Sequence, residues 1–132
     1  MGAGLPRYAH AVNTPADTTD IGVEPARVAE WLTPEGDAHA VQVIDVREGY
    51  EREAGHIAGT RHVQFAELTA AAASVDKERP VVFYCRMGSR SDVAAQAFRG
   101  AGFQAYSMSG GLERWAQEGR PLSPDDGHVA DH

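Results

Sequence analysis

Apolar positions along the chain follow two rhythms. Residues 40–46 (AVQVIDV) and 81–84 (VVFY) are nearly all apolar and rich in β-branched or aromatic side chains. Short runs of this kind read as strands, and those without alternation as strands buried on both faces, as in a parallel sheet. Residues 21–23, 61–63 and 104–108 read as further short strands. Between them the spacing turns helical. Pro25 suits the first turn of a helix carrying Val28, Ala29 and Leu32, which residues 33–37 (TPEGD) end. Residues 48–54 predict a short helix closed by Gly55, and 65–74 (FAELTAAAAS) a helix of good formers. Ser89 and Asp92 have capping-box spacing for a helix reaching Arg99, with Val93, Ala94, Ala97 and Phe98 as its apolar stripe. Gly110 and Gly111 turn the chain into a last helix holding Leu112 and Trp115, stopped by Gly119 and Pro121.

Strands alternating with helices predict a three-layer α/β fold, a parallel sheet covered on both faces. The expected organisation is a flexible N-terminal arm over 1–18, one domain over 19–122, and a polar C-terminal tail over 123–132. In open sheets of this type the site lies beyond the carboxyl ends of the strands. Asp45 and Arg47 occupy one such end, and Cys85 another.

Cys85 concentrates the candidate chemistry. It is the only cysteine, so neither an internal disulfide nor a resolving cysteine within the chain is expected. It follows a buried strand and opens the polar loop Arg86-Met87-Gly88-Ser89-Arg90, after which a helix starts. Loop amides and a helix N-terminus both favour negative charge on the group they surround, and two arginines push the same way. The arrangement predicts a nucleophilic thiol in an anion-binding cradle; the competing reading is a buried small hydrophobe.

Composition narrows the remainder. The 132 residues carry a formal net charge of -7 with a pI near 5.2, which argues against nucleic acid as a partner. No apolar run approaches the roughly 18 residues that span a membrane. Residues 1–20 lack the apolar stretch of a signal peptide, so a cytoplasmic location is expected. The six histidines show no metal-ligand spacing, so neither metal nor cofactor is expected. His56, between turn glycines, reads as a structural hydrogen-bonder, with a ligand or base as the alternative. The acidic stretch Glu48, Glu51 and Glu53 reads as a solvated face.

Three stretches together resemble the rhodanese-like domains, and most closely their single-domain sulfurtransferases. They are IDVREGYEREAGHIAG at 44–59, CRMGSRS at 85–91 and GGLERWAQEGRPL at 110–122. The resemblance covers about residues 20–122. It implies a five-stranded parallel sheet flanked by helices and a cysteine that carries sulfane sulfur as a persulfide. Cys85 matches that position, Arg86, Met87, Gly88, Ser89 and Arg90 match the substrate-binding cradle, and Asp45 and Arg47 match a pair that braces the active-site loop. The implied partners are a small donor such as thiosulfate, a thiol or cyanide acceptor, and a protein sulfur acceptor. The two-domain thiosulfate enzymes have extra basic residues for the sulfonate end, where this chain is acidic.

Family members also serve as non-catalytic interaction or sulfur-carrier modules, and phosphatases share the fold. Those phosphatases resemble C-x5-R. Here four residues separate Cys85 from Arg90, and a shorter ring suits a single sulfur atom rather than a tetrahedral phosphate.

Overall fold

The computed structural model describes residues 20–33 and 40–131. The arm expected over 1–18 and most of the turn expected over 33–37 lie outside the described residues. Five parallel strands form one sheet: β1 (Gly22–Val23), β2 (Gln42–Asp45), β3 (Arg61–His62), β4 (Val81–Tyr84) and β5 (Ala105–Met108). Their spatial order is β1-β5-β4-β2-β3. β4 is central, and its register runs from Val82 beside Val43 to Tyr84 beside Asp45. Helices α1 (Pro25–Leu32), α2 (Gly49–Ala54), α3 (Leu68–Ala71), α4 (Ser89–Gly100) and α5 (Gly111–Gln117) complete the expected α/β architecture.

Strand alternation decides which layer receives each side chain. Val81, Phe83 and Cys85 point into one core with Leu68, Ala94, Ala95 and Phe98. Val82 and Tyr84 point into the other, with Val28, Trp31, Leu112 and Trp115. The period of two therefore puts the thiol on the face that α4 covers. Phe98 anchors that helix with its ring centroid 4.9 Å from Phe83 and 4.7 Å from Phe103. A fully buried ring of this size contributes about 2 kcal/mol.

Three local expectations give way. The helix over 65–74 breaks into a 3₁₀ turn (Phe65–Glu67), the single turn α3 and a second 3₁₀ turn (Ala72–Ser74). Leu68 is the only side chain that α3 buries, and propensity alone rarely sustains a helix without packing. Ser74 also turns its hydroxyl onto the Ala71 carbonyl at 2.6 Å, a local bond that competes with the helical pattern.

The capping box at Ser89 does not form. Gly88 precedes α4 in the left-handed region, at φ 118, a conformation glycine adopts without a Cβ penalty. The reciprocal arrangement sits at α2 instead, where Glu51 Oε1 accepts the Glu48 amide at 2.9 Å. The inner face of α4 is also rotated: Ser91, Ala94, Ala95 and Phe98 are buried, while Val93 is 54% exposed and Ala97 faces solvent. Starting the helix at Gly88 turns Ser91 inward toward Cys85, which sets that phase.

Residues 123–131 pack along α2. Ser123 and His56 exchange backbone hydrogen bonds of 3.0 and 2.7 Å, and the His128 amide donates to the Ala54 carbonyl at 2.8 Å. A Cβ at Gly55 would lie 2.4 Å from the His128 carbonyl oxygen, so this close approach requires glycine. The chain then reaches Tyr50, whose hydroxyl donates to the Asp131 carbonyl at 3.2 Å.

Candidate active site

Cys85 leaves the end of β4 and is 1% exposed. Its Sγ accepts the Gly88 amide at 3.1 Å and the Ser91 amide at 3.4 Å. The loop thus curls back so that two peptide N–H groups converge on one sulfur, as the loop-then-helix pattern predicts. The Ser91 hydroxyl lies 3.5 Å from the same sulfur and 2.7 Å from the hydroxyl of the buried Ser107 on β5. It also donates to the Gly88 carbonyl at 3.1 Å.

The outer side of the loop is held by α5. The Leu112 amide donates to the Cys85 carbonyl at 2.8 Å and the Glu113 amide to the Arg86 carbonyl at 2.9 Å. Gly111, at φ 63, permits this: a Cβ there would come within 2.5 Å of the Arg86 carbonyl oxygen.

The two loop arginines meet different surroundings. Arg90 sends Nη1 and Nη2 to the two oxygens of Glu51 at 2.9 and 3.1 Å. The Glu51 side chain is 0% exposed, so the acidic stretch is not simply a solvated face: one of its three carboxylates is buried against the loop. Burial opposes the charge on Arg90, but the hydrogen bonds and charge of Glu51 outweigh it, helped by Cys85 and Asp45, and hold its pKa above the ordinary value. Arg86 is half-buried. Its Nη2 lies 3.3 Å from Glu113 and 3.4 Å from Asp131, while its buried Nε finds no acceptor among the described residues. Met87 is 58% exposed at the rim, and Ser89 is exposed at the first turn of α4.

At the end of β2, Asp45 and Arg47 are fully buried. Arg47 Nε and Nη2 reach the two Asp45 oxygens at 2.9 and 2.8 Å, and the Arg47 amide donates to Asp45 Oδ1 at 3.0 Å. Paired donors of this geometry are among the strongest ionic hydrogen bonds. Arg47 Nη2 also donates to the Gly55 carbonyl at 2.8 Å, and Arg52 Nη1 approaches Asp45 at 3.4 Å. Burial opposes the Arg47 charge, yet the bonds and charge of Asp45 raise its pKa. These contacts tie the C-terminal half of α2 to the end of β2. The pair reaches the Cys85 loop through α2, whose Glu51 grips Arg90. Tyr84, next to Cys85, binds the Ile57 amide at 3.1 Å and Thr60 at 3.0 Å. Burial, then the nearby Asp45 carboxylate, push its phenol up to about 12. His56 Nδ1 donates to the Arg52 carbonyl at 3.1 Å, consistent with a structural hydrogen-bonder.

Sequence reasoning passed over Glu51, Ser91, Ser107, Glu113 and Asp131. Two of them carried a signal. Ser91 directly follows the loop, inside the CRMGSRS stretch, and Glu51 lies three residues beyond Glu48, the spacing of a helix start that folds back on itself. Nothing local marks the other three, which arrive from β5, α5 and the C-terminal segment. Among the described residues no cluster of three His, Cys, Asp or Glu side chains could hold a metal ion, and no helix is long and apolar enough to cross a membrane.

Comparison with known proteins agrees with this geometry. Residues 28–118 match the family model of the rhodanese-like domain. The uncharacterized protein YqhL of Bacillus subtilis is 36% identical over 93 residues, which cover 67% of this chain and 74% of that protein. The thiosulfate sulfurtransferase GlpE of Pseudomonas aeruginosa is 36% identical over 78 residues, 58% of this chain and 71% of that one. Among solved structures, a rhodanese-related protein from Thermoplasma volcanium superposes with a TM-score of 0.68 at 26% identity, over 76% of this chain and 95% of that one. With a family match across most of its length and a cysteine cradled at the end of β4, this chain belongs to the rhodanese-like domain family.

Proposed function

We propose that the protein is a sulfurtransferase that moves sulfane sulfur from thiosulfate or a persulfide donor to a thiophilic acceptor through a persulfide on Cys85. The observation that carries this reading is the convergence of the Gly88 and Ser91 amides on Cys85 Sγ, at 3.1 and 3.4 Å. Donors placed before the reaction stabilise negative charge on the sulfur without reorganising. The Cys85 thiolate attacks the outer sulfur of thiosulfate, the S–S bond breaks, and sulfite leaves with the electron pair. An acceptor such as cyanide then attacks the outer sulfur of the Cys85 persulfide. Thiocyanate departs and the thiolate is restored. This is two-step covalent catalysis with ping-pong kinetics. Arg90, held by Glu51, keeps the loop closed around one sulfur, and the short C-x4-R ring favours sulfur over a phosphoryl group.

The relative named as a thiosulfate sulfurtransferase, GlpE, supports the same reaction class. The test is mass spectrometry of the intact protein after exposure to thiosulfate, paired with thiocyanate and aryl-phosphate assays on one preparation. Gain of one sulfur atom at Cys85 and no phosphate hydrolysis is the expected result. Cys85→Ser, with an unchanged melting temperature, should form no thiocyanate. Thiocyanate production by folded Cys85→Ser, or Cys85-dependent phosphate hydrolysis without sulfur transfer, would refute the assignment. A wild-type chain that folds but never gains sulfur would instead be a non-catalytic module.

A further inference from the structure

Two buried hydroxyls lie behind the Cys85 sulfur, and the loop amides leave them no evident task. Ala105 faces the core under α4, so strand alternation turns Ser107, two residues on, toward the same helix. Its side chain is fully buried. Ser91 reaches it from the first turn of α4, and the two Oγ atoms are 2.7 Å apart. Ser91 Oγ is also 3.5 Å from Cys85 Sγ and 3.1 Å from the Gly88 carbonyl oxygen. Burying hydroxyls in an apolar layer is unfavourable unless each is bonded, so the pattern of their bonds carries information.

Proton counting fixes the direction of this chain of hydroxyls. Each has a single proton to give. Among the described residues the Ser107 hydroxyl meets one hydrogen-bond partner, Ser91 Oγ. If Ser107 accepted there, its own proton would be buried without an acceptor, an arrangement that folded proteins avoid. Ser107 therefore donates to Ser91. The Ser91 proton is left with two targets, the Gly88 carbonyl and Cys85 Sγ. The Gly88 carbonyl does not depend on it, because the Asp92 amide donates to the same oxygen at 2.8 Å. The Ser91 proton can thus turn to the sulfur without stranding another buried group.

We propose that Ser107 is a positioning residue that aims the Ser91 hydroxyl, and that this hydroxyl swings from the Gly88 carbonyl to Cys85 Sγ as that sulfur leaves the persulfide. The inference rests on the sulfurtransferase reading above and assigns residues to its second half-reaction. In the persulfide the negative charge sits on the outer sulfur, and Sγ is neutral. When the acceptor attacks the outer sulfur, the S–S bond breaks and its electron pair passes to Sγ. Cys85 is 1% exposed, so donors of the protein, not bulk water, must meet that charge. The Gly88 and Ser91 amides already point at Sγ. The hydroxyl is the donor that can turn in as the charge arrives, and an interaction that strengthens toward the transition state is one that lowers the barrier. The Ser91 proton stays on its own oxygen throughout. Loading gains nothing from the hydroxyl, because in that step the charge leaves Sγ.

The test separates the two half-reactions. Loading of Cys85 by thiosulfate is timed by intact mass spectrometry, on the plateau of its pH profile. Discharge of the loaded protein to cyanide is timed as thiocyanate formed in a single turnover. Ser91→Ala removes the donor; it should slow discharge about tenfold, the scale of one hydrogen bond to a charged group, and leave loading within about twofold. Ser107→Ala keeps the donor but loses its aim, and should slow discharge about threefold. In a Ser91→Ala background Ser107→Ala should add nothing, because Ser107 acts through Ser91. Equal slowing of loading and discharge in Ser91→Ala, or no slowing of discharge, would overturn the proposal while sulfur transfer itself stands. So would a Ser107→Ala effect that persists in full without the Ser91 hydroxyl. Should Ser107→Ala melt too low to assay, the ratio of loading to discharge in Ser91→Ala decides alone. If the wild-type protein never gains sulfur, both this proposal and the sulfurtransferase reading fail.

Discussion

Arg86 and Arg90 stand four residues apart in one loop, and their surroundings give them opposite characters. Arg90 meets a fully buried carboxylate with both of its terminal nitrogens. Arg86 is shared between Glu113 at 34% exposure and Asp131 at 94%, through a single nitrogen. The first is a clamp whose loss strands a buried charge. The second is a surface contact that water and salt can replace. Adjacency to the Cys85 thiol thus says little about an arginine's role, and the depth of its counter-ion says much more.

Removing the deep clamp should have the largest effect. Arg90→Met leaves Glu51 buried without its cation, so a loss of about 3 kcal/mol in unfolding free energy is expected, together with most of the sulfur-transfer rate. Chemical denaturation and a thiocyanate assay check both. Next, Glu51→Leu/Arg90→Met removes the charges together and should recover a large part of that stability without recovering the activity. The recovery stays incomplete because Glu51 Oε1 also accepts the Glu48 amide. If the double variant is as unstable as the single one, the penalty does not come from an unpaired charge.

Arg86→Met should cost no more than about 1 kcal/mol, and it should raise KM for thiosulfate while leaving kcat near its wild-type value. A melting temperature that falls as far as in Arg90→Met would erase the contrast between the two arginines. The smallest effect is expected from Asp131→Asn, which frees Arg86 from one carboxylate. Stability should not change measurably, and KM for thiosulfate should fall by about twofold, an amount that shrinks with salt.

The strands were legible because burial on both faces leaves an unbroken apolar run, as at residues 81–84, and because turn glycines bracket the helices. The position of the buried thiol was legible for the same reason: Cys85 interrupts such a run where a loop begins. What escaped was set by tertiary contact. Glu51 sits among acidic neighbours in sequence, and only the fold shows that it turns inward while Glu48 and Glu53 turn out. The segment over 65–74 has the composition of a helix but buries too little to be one. Val93 and Ala97 seemed to line α4 because their spacing is helical, yet the phase of that helix is dictated by Gly88 and by the inward turn of Ser91 toward Cys85 and Ser107. Asp131 could not be read as a neighbour of Arg86 from chain position alone.

The docking of α5 has an electrical consequence. A trans peptide unit directs its C=O and its N–H to opposite sides. The carbonyls of Cys85 and Arg86 are both taken by the first turn of α5, through the Leu112 and Glu113 amides. The N–H ends of those same peptide units, which belong to Arg86 and Met87, must then face away from α5. The ribbon after Cys85 is therefore a polarised strip, held by its negative edge with its positive edge left over. Each carbonyl that accepts a hydrogen bond makes the amide across its own peptide bond a stronger donor. Gly111, by letting α5 approach within a backbone's width of the strip, helps to set the polarity of a loop on a different element.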